Sequence, residues 1–170
     1  MKIWSLLTLV GADQKGIVAA VTSALAAADC ELGETSMLRM GGSFSMMLRV
    51  RHAGKDLAAL LTPVCEKLNL HLHIDEDIDA SKISVEPDVN VTVYGADRSG
   101  IVAEVTKVLS DAGLNIIDLE TAVAGTEDKP IYIMTIEGQA LQGVDALTEA
   151  AKNISDGVEL NIIAIQTLRA

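Results

Sequence analysis

Residues 95–109, GADRSGIVAEVTKVL, repeat residues 11–25, GADQKGIVAAVTSAL, and this recurrence decides how the whole chain is read. With a constant offset of 84 residues, Thr8 falls on Thr92, Gly11-Ala12-Asp13 on Gly95-Ala96-Asp97, and Gly16-Ile17-Val18-Ala19 on Gly100-Ile101-Val102-Ala103. About a dozen of the twenty-one positions from Thr8 to Ala28 are identical without a gap. The chain of 170 residues is therefore one unit made twice, and the reading assigns residues 1–79 and 88–170 to the two domains and 80–87 to a linker.

Outward from the corner, each copy reads the same way. An apolar, β-branched strand (Ile3 to Val10; Val89 to Tyr94) breaks at the glycine corner. A helix follows, with Ile17, Val18, Val21, Leu25 and Ala28, or Ile101, Val102, Val105, Leu109 and Ala112, recurring near a 3.6 period. Gly113 marks the end of the second of these helices, and the first ends at Asp29. Next come two strands: LGETSMLRM and SFSMMLRVR joined by Gly41-Gly42, and NIIDLETAVA and IYIMTIEG joined by the polar link GTEDKP. Second helices are expected over 55–68 and 144–154, and closing strands at LHLHIDEDI and VELNIIAIQTL. The order β-α-β-β-α-β, made twice, predicts an α+β fold. Each copy is a ferredoxin-like four-stranded antiparallel sheet with both helices on one face.

The start MKIWSLLTLVGA could imitate a secretory leader, but its counterpart DVNVTVYGAD lies mid-chain, so it is read as a core strand. No apolar run reaches the length of a membrane span. A formal charge of −11 with scattered Lys and Arg argues against direct nucleic-acid binding, which needs clustered cations. With only 2% aromatic residues there are few rings for bases to stack on. Cys30 and Cys65 fit neither a disulfide framework nor a zinc site and read as buried thiols of a cytoplasmic protein.

Asp13 and Asp97 are placed to cap the helices that follow them. A cap does not explain glycine at positions 16 and 100, where a helix would prefer almost anything else. Two explanations are open: a ligand carboxylate approaching the bare helix N-terminus, or close packing of the neighbouring strand or domain.

The pattern of strand, GADRSGIVA, helix and GLNI resembles the ACT domain, a small ligand-binding module, and more narrowly the tandem ACT family of glycine cleavage system transcriptional repressors. The resemblance covers nearly the whole chain. It implies a small amino acid, with glycine first among candidates, bound at an interface of paired units by Asp13, Gly16 and Ile17 of the first copy and Asp97, Arg98, Ser99, Gly100, Ile101 and Asn115 of the second. Arg98 and the backbone N–H groups suit an α-carboxylate; Asn115, Asp118 or Glu34 suits an α-ammonium. The first copy departs from the pattern, with Asp29-Cys30-Glu31 where the second has Gly113-Leu114-Asn115, so the second corner carries more weight. The resemblance further implies a non-enzymatic regulator with no cofactor, a homodimer or higher oligomer, that controls transcription indirectly by binding a DNA-bound regulator protein.

Other readings compete. Assembly alone, with no ligand, fits the same fold. Catalysis finds no G-x-S-x-G elbow, P-loop or H-E-x-x-H. A metal site could be built from His71, His73 and Asp75 on one face of a strand. Met37, Met40, Met46 and Met47 are expected chiefly to fill the core, and where exposed to mark a docking surface.

Overall fold

The computed structural model describes residues 2–79, 85–126 and 129–165. The chain divides into two compact units, residues 1–83 and 84–170. Residues 80–84 of the expected linker lie outside the described residues.

Unit one runs β1 (Ile3–Ala12), α1 (Ile17–Ala27), β2 (Glu31–Met40), β3 (Ser43–His52), α2 (Leu57–Leu68) and β4 (Leu70–Asp75). Unit two runs β5 (Val89–Ala96), α3 (Ile101–Asp111), β6 (Leu114–Thr126), β7 (Lys129–Ala140), α4 (Val144–Ala151) and β8 (Val158–Ala164). Each unit is a four-stranded antiparallel sheet, ordered β2-β3-β1-β4 and β6-β7-β5-β8, so the repeated strand is central in both. This is the α+β ferredoxin-like arrangement that the sequence order predicts.

Alternation along the central strands sorts the two faces of each sheet. Ser5, Leu7 and Leu9 are fully buried in β1, as are Val89, Val91 and Val93 in β5. They meet the buried stripes Ile17, Val21 and Leu25 of α1 and Ile101, Val105 and Leu109 of α3, three residues one turn apart in each helix. Both helices of a unit bury into one cluster and leave the other sheet face open. Cys30 and Cys65 are buried free thiols of the first core, and burial raises the pKa of both. The buried polar pair Ser5–His52 is satisfied: the Lys55 N–H donates to His52 Nδ1 at 2.9 Å, so Nε2 carries the proton and donates to Ser5 Oγ at 3.0 Å.

Four local expectations are corrected. The link GTEDKP is mostly strand, because Gly125 pairs with Pro130 and Thr126 with Lys129. Pro130 fits there because β5 ends its pairing at Ala96–Ile131, so no β5 carbonyl faces the missing N–H. Helix α2 begins at Leu57, with Asp56 in an extended conformation as its N-cap, its Oδ1 accepting the Ala59 N–H at 2.9 Å. Helix α4 stops at Ala151, and Ile154 packs on the core from outside it. Of the four methionines, Met46 alone is in the core; Met37 and Met40, on edge strand β2, and Met47, on the face of β3 opposite the buried Met46 and Leu48, are about half exposed or more. The closing residues of VELNIIAIQTL beyond Ile165 lie outside the described residues.

Candidate ligand-binding corners

Of the two causes expected for the corner glycines, close packing is overturned, and a third, backbone conformation, takes its place. Gly16 and Gly100 are the residues at which α1 and α3 begin, with φ of +94° and +87°, in the left-handed region. A Cβ there would meet nothing within 4 Å, so backbone conformation and not close approach demands glycine. A corner glycine that is in close approach is Gly11, where a Cβ would come within 2.9 Å of the Asn69 carbonyl oxygen. Neither Asp13 nor Asp97 caps its helix, since neither α1 nor α3 has a side-chain cap bond. The left-handed glycine takes the N-cap place three residues after the Asp and turns the aspartate away.

At the corner of unit one, the Asp13 N–H donates to the Gly42 carbonyl at 2.8 Å, tying the corner to the β2–β3 turn. The Asp13 carboxylate accepts both Nε (2.9 Å) and a terminal nitrogen of Arg39. Arg39 lies on edge strand β2 opposite Phe44, on the helix side of the sheet. Between this overhanging strand and the start of α1 opens a pocket of about 640 Å³. Its lining includes Asp13, Gly16, Ile17 and Arg39, with Met37 and Phe44. The N–H groups of Ile17, Val18 and Ala19 precede the first bond of the helix, made by Ala20 to the Gly16 carbonyl. Gln14 donates to the Leu68 carbonyl at 2.7 Å and so stitches the corner to the end of α2.

At the corner of unit two, Asp97, Arg98, Ser99 and Gly100 are exposed and Ile101 is buried. Arg98 stands at the repeat position of Gln14 and ties the corner to the segment just past α4. It pairs with Glu104 and donates to Ser155 Oγ at 3.3 Å. Glu104 also accepts the Ser155 hydroxyl, and the Ser155 N–H at 2.8 Å. The Ser155 hydroxyl first, then Arg98 and the Ser155 N–H, hold the Glu104 carboxyl down at about 2. Where unit one has Met37, Arg39 and Phe44, the strand register puts Thr121, Val123 and Tyr132. A concavity of about 450 Å³ in unit two is lined by Tyr94, Gly95, Ala96, Pro130 and Ile131, and by none of Asp97 to Ile101.

Asn115 is not brought to its own corner. It sits at the start of β6 opposite Gln139, between Leu114 and Ile116 of the core, on the open face of the sheet. Helix α3, 11 residues or about 16 Å long, separates it from Gly100. Asp118 is likewise an open-face residue of β6, opposite Glu137. In unit one, Glu31 at the position of Asn115 is taken by Lys2 and Arg51, whose hydrogen bonds lower its pKa, and Glu34 pairs with Arg49 at 3.4 Å. His71, His73 and Asp75 do share an exposed face, and His73 Nε2 lies 3.2 Å from Asp75 Oδ1. No group of three or more metal-ligating side chains comes together among the described residues. No helix among them is long and apolar enough to cross a membrane.

Two ferredoxin-like units in tandem, each with a glycine corner opening its first helix, define a class of small regulatory modules. The comparison with known families makes the assignment specific: the ACT domain family matches twice, over residues 5–75 and 89–155, and the chain belongs to that family. It is 34% identical over 76 residues to the UPF0237 protein YjhC of Lactococcus lactis, covering 43% of this chain and 87% of the relative. It is 39% identical over 75 residues to a UPF0237 protein of Methanococcus maripaludis, covering 44% and 68%. Among solved structures, an unknown protein from Galdieria sulphuraria superposes with a TM-score of 0.81 at 22% identity, over 98% of this chain and all of that one. A provisionally assigned glycine cleavage system transcriptional repressor superposes with a TM-score of 0.70 at 16% identity, over 97% and 99%. At those identities the likeness is one of fold, and it extends to the tandem arrangement.

Proposed function

We propose that this tandem ACT protein is a non-enzymatic cytoplasmic regulator that binds a small amino acid at an ACT corner and passes its occupancy to a protein partner. The observation that carries the reading is the pocket beside Asp13, Gly16 and Ile17, which joins a helix N-terminus to a charged pair and an apolar floor. The helix N-terminus offers N–H donors and partial positive charge to a carboxylate. Glycine is the first ligand to try, because the fold neighbour is assigned to the glycine cleavage system. The proposed output is indirect control of transcription through a DNA-bound regulator, with the protein itself off the DNA, as a net charge of −11 favours. Ligand would act by population shift, favouring the arrangement of a homodimer or higher oligomer that it binds best.

The reading is tested by thermal melts of the full chain with each common amino acid, glycine first, and calorimetry on any hit. A saturable upward shift with one or two small amino acids is expected, since a ligand specific to the native state stabilises it. No shift with any of them at about 10 mM would leave assembly without ligand as the function.

A further inference from the structure

The two corners invite the same proposal until their charges are followed. In unit two, Arg98, the one cation of the corner, is held by Glu104 and Ser155 and spans from the corner to the segment that follows α4. Gln14 makes the corresponding span in unit one without any charge. Arg98 therefore occupies a structural position in the repeat. Unit one has the cation Lys15 in its corner and a second, Arg39, on the edge strand, whose side chain is 64% exposed and is paired with the carboxylate of Asp13, 22% exposed. Both members of this pair line the 640 Å³ pocket, and Met37 and Phe44 form its apolar side.

Resting on the reading that the protein binds an amino acid, we propose that the Asp13–Arg39 pair is the recognition element, that it selects a zwitterion, and that unit one alone takes the ligand. A guanidinium and a carboxylate already in contact at a pocket mouth can part to accept a molecule carrying both opposite charges. The ligand α-carboxylate replaces Asp13 on Arg39, and its α-ammonium replaces Arg39 on Asp13. One exposed ion pair becomes two, and neither charge is left bare. A ligand with a single charge would satisfy one partner and strand the other. The apolar side admits glycine or an uncharged aliphatic side chain such as that of methionine; a cationic side chain would find no partner against Met37 and Phe44 and would meet Lys15, which also lines the pocket. Unit two cannot do this, because Val123 and Thr121 stand where Arg39 and Met37 stand in unit one.

The experiment is calorimetry on the full chain with glycine, L-methionine, methylamine and acetate, repeated on Arg39→Met, Arg39→Lys, Asp13→Asn and Arg98→Met, each checked for an intact fold by circular dichroism. Expected are saturable binding of glycine or methionine, binding of methylamine and acetate at least about tenfold weaker, and a loss of about tenfold in Arg39→Met and Asp13→Asn. Arg39→Lys should recover most of the affinity, since it restores the charge. Affinity lost in Arg98→Met but kept in Arg39→Met would overturn the inference while leaving amino-acid binding intact. Acetate binding as tightly as glycine would reduce the site to an anion site and overturn it too. Absence of binding by every probe would overturn the amino-acid reading itself and this inference with it.

Discussion

The two corners share Gly-Ala-Asp, a left-handed glycine and a buried isoleucine, yet one opens onto a pocket and the other closes on itself. The difference lies in residues that differ between the two copies, some within the repeated stretch and some beyond it. In unit one the edge strand supplies Arg39 to the corner aspartate; in unit two the helix supplies Glu104 to the corner arginine. A duplicated backbone thus holds two different charge circuits. What the units share is conformational, namely a strand that must turn sharply into a helix, and what they do not share is the side chains that face the turn.

The sharpest way to separate the shared part from the divergent part is to charge the same conformational cost to both units. Gly16→Ala and Gly100→Ala each put a Cβ into open space but at a φ near +90°. Each should destabilise its unit by about 1–2 kcal/mol, the cost of the left-handed conformation for an L-residue. Denaturant unfolding followed by circular dichroism measures both, and Trp4, the single tryptophan, lies in unit one and gives that unit its own fluorescence signal. Near-equal losses are expected. A much larger loss at Gly100 would mean that the two turns are not the same device.

The second prediction concerns the closed circuit of unit two. Glu104 is held at about 2, below its ordinary value of 4.5, so its contribution to stability is complete above the ordinary value and fades as pH falls from about 4.5 toward 2. Glu104→Gln should therefore lower the melting temperature at neutral pH, and the gap to the wild type should close as the pH approaches 2. Unit one has Ala20 at this position, and no comparable gap can be opened there. A gap that is unchanged at low pH would show that the hydrogen bonds to Ser155, not the carboxylate charge, hold the corner.

How far all this was legible in sequence can be argued from the same residues. The repeat, the helical stripes ending at Leu25 and Leu109, and the glycine-joined hairpin of unit one are local patterns, and each is realised within a residue or two. Gly16 was legible as an anomaly but not as to cause, because a glycine demanded by φ and one demanded by a neighbour look alike in a string of letters; Gly11 is of the second kind. Arg39 was invisible as a site residue. Its partner is 26 residues away, and only the β2–β3 register, with Arg39 opposite Phe44, turns it to the helix side where Asp13 lies. Arg98 was legible as a cation but not as a satisfied one, since Glu104 and Ser155 reach it from the next helix and from beyond α4.

The smallest predicted effect lies at the other end of the same helices, where the sequence difference between the units is plainest. Asp29 has φ of +58° just after α1, and Gly113 has +89° just after α3, so both helices end in a left-handed residue and only the residue type differs. Aspartate tolerates this region better than most residues, and glycine there would carry its own entropy cost in the unfolded chain. The two terms oppose one another, and Asp29→Gly should change stability by no more than about 0.5 kcal/mol. The reverse change at Gly113 is not its mirror image: a Cβ there would come within 2.8 Å of Gln142 Cγ, so Gly113→Asp must also displace that side chain. Urea unfolding of the pair, read by Trp4 fluorescence for Asp29→Gly and by circular dichroism for Gly113→Asp, should find the second the costlier. Equal costs would mean that Gln142 moves aside freely and that the two helix ends, unlike the two corners, remain interchangeable.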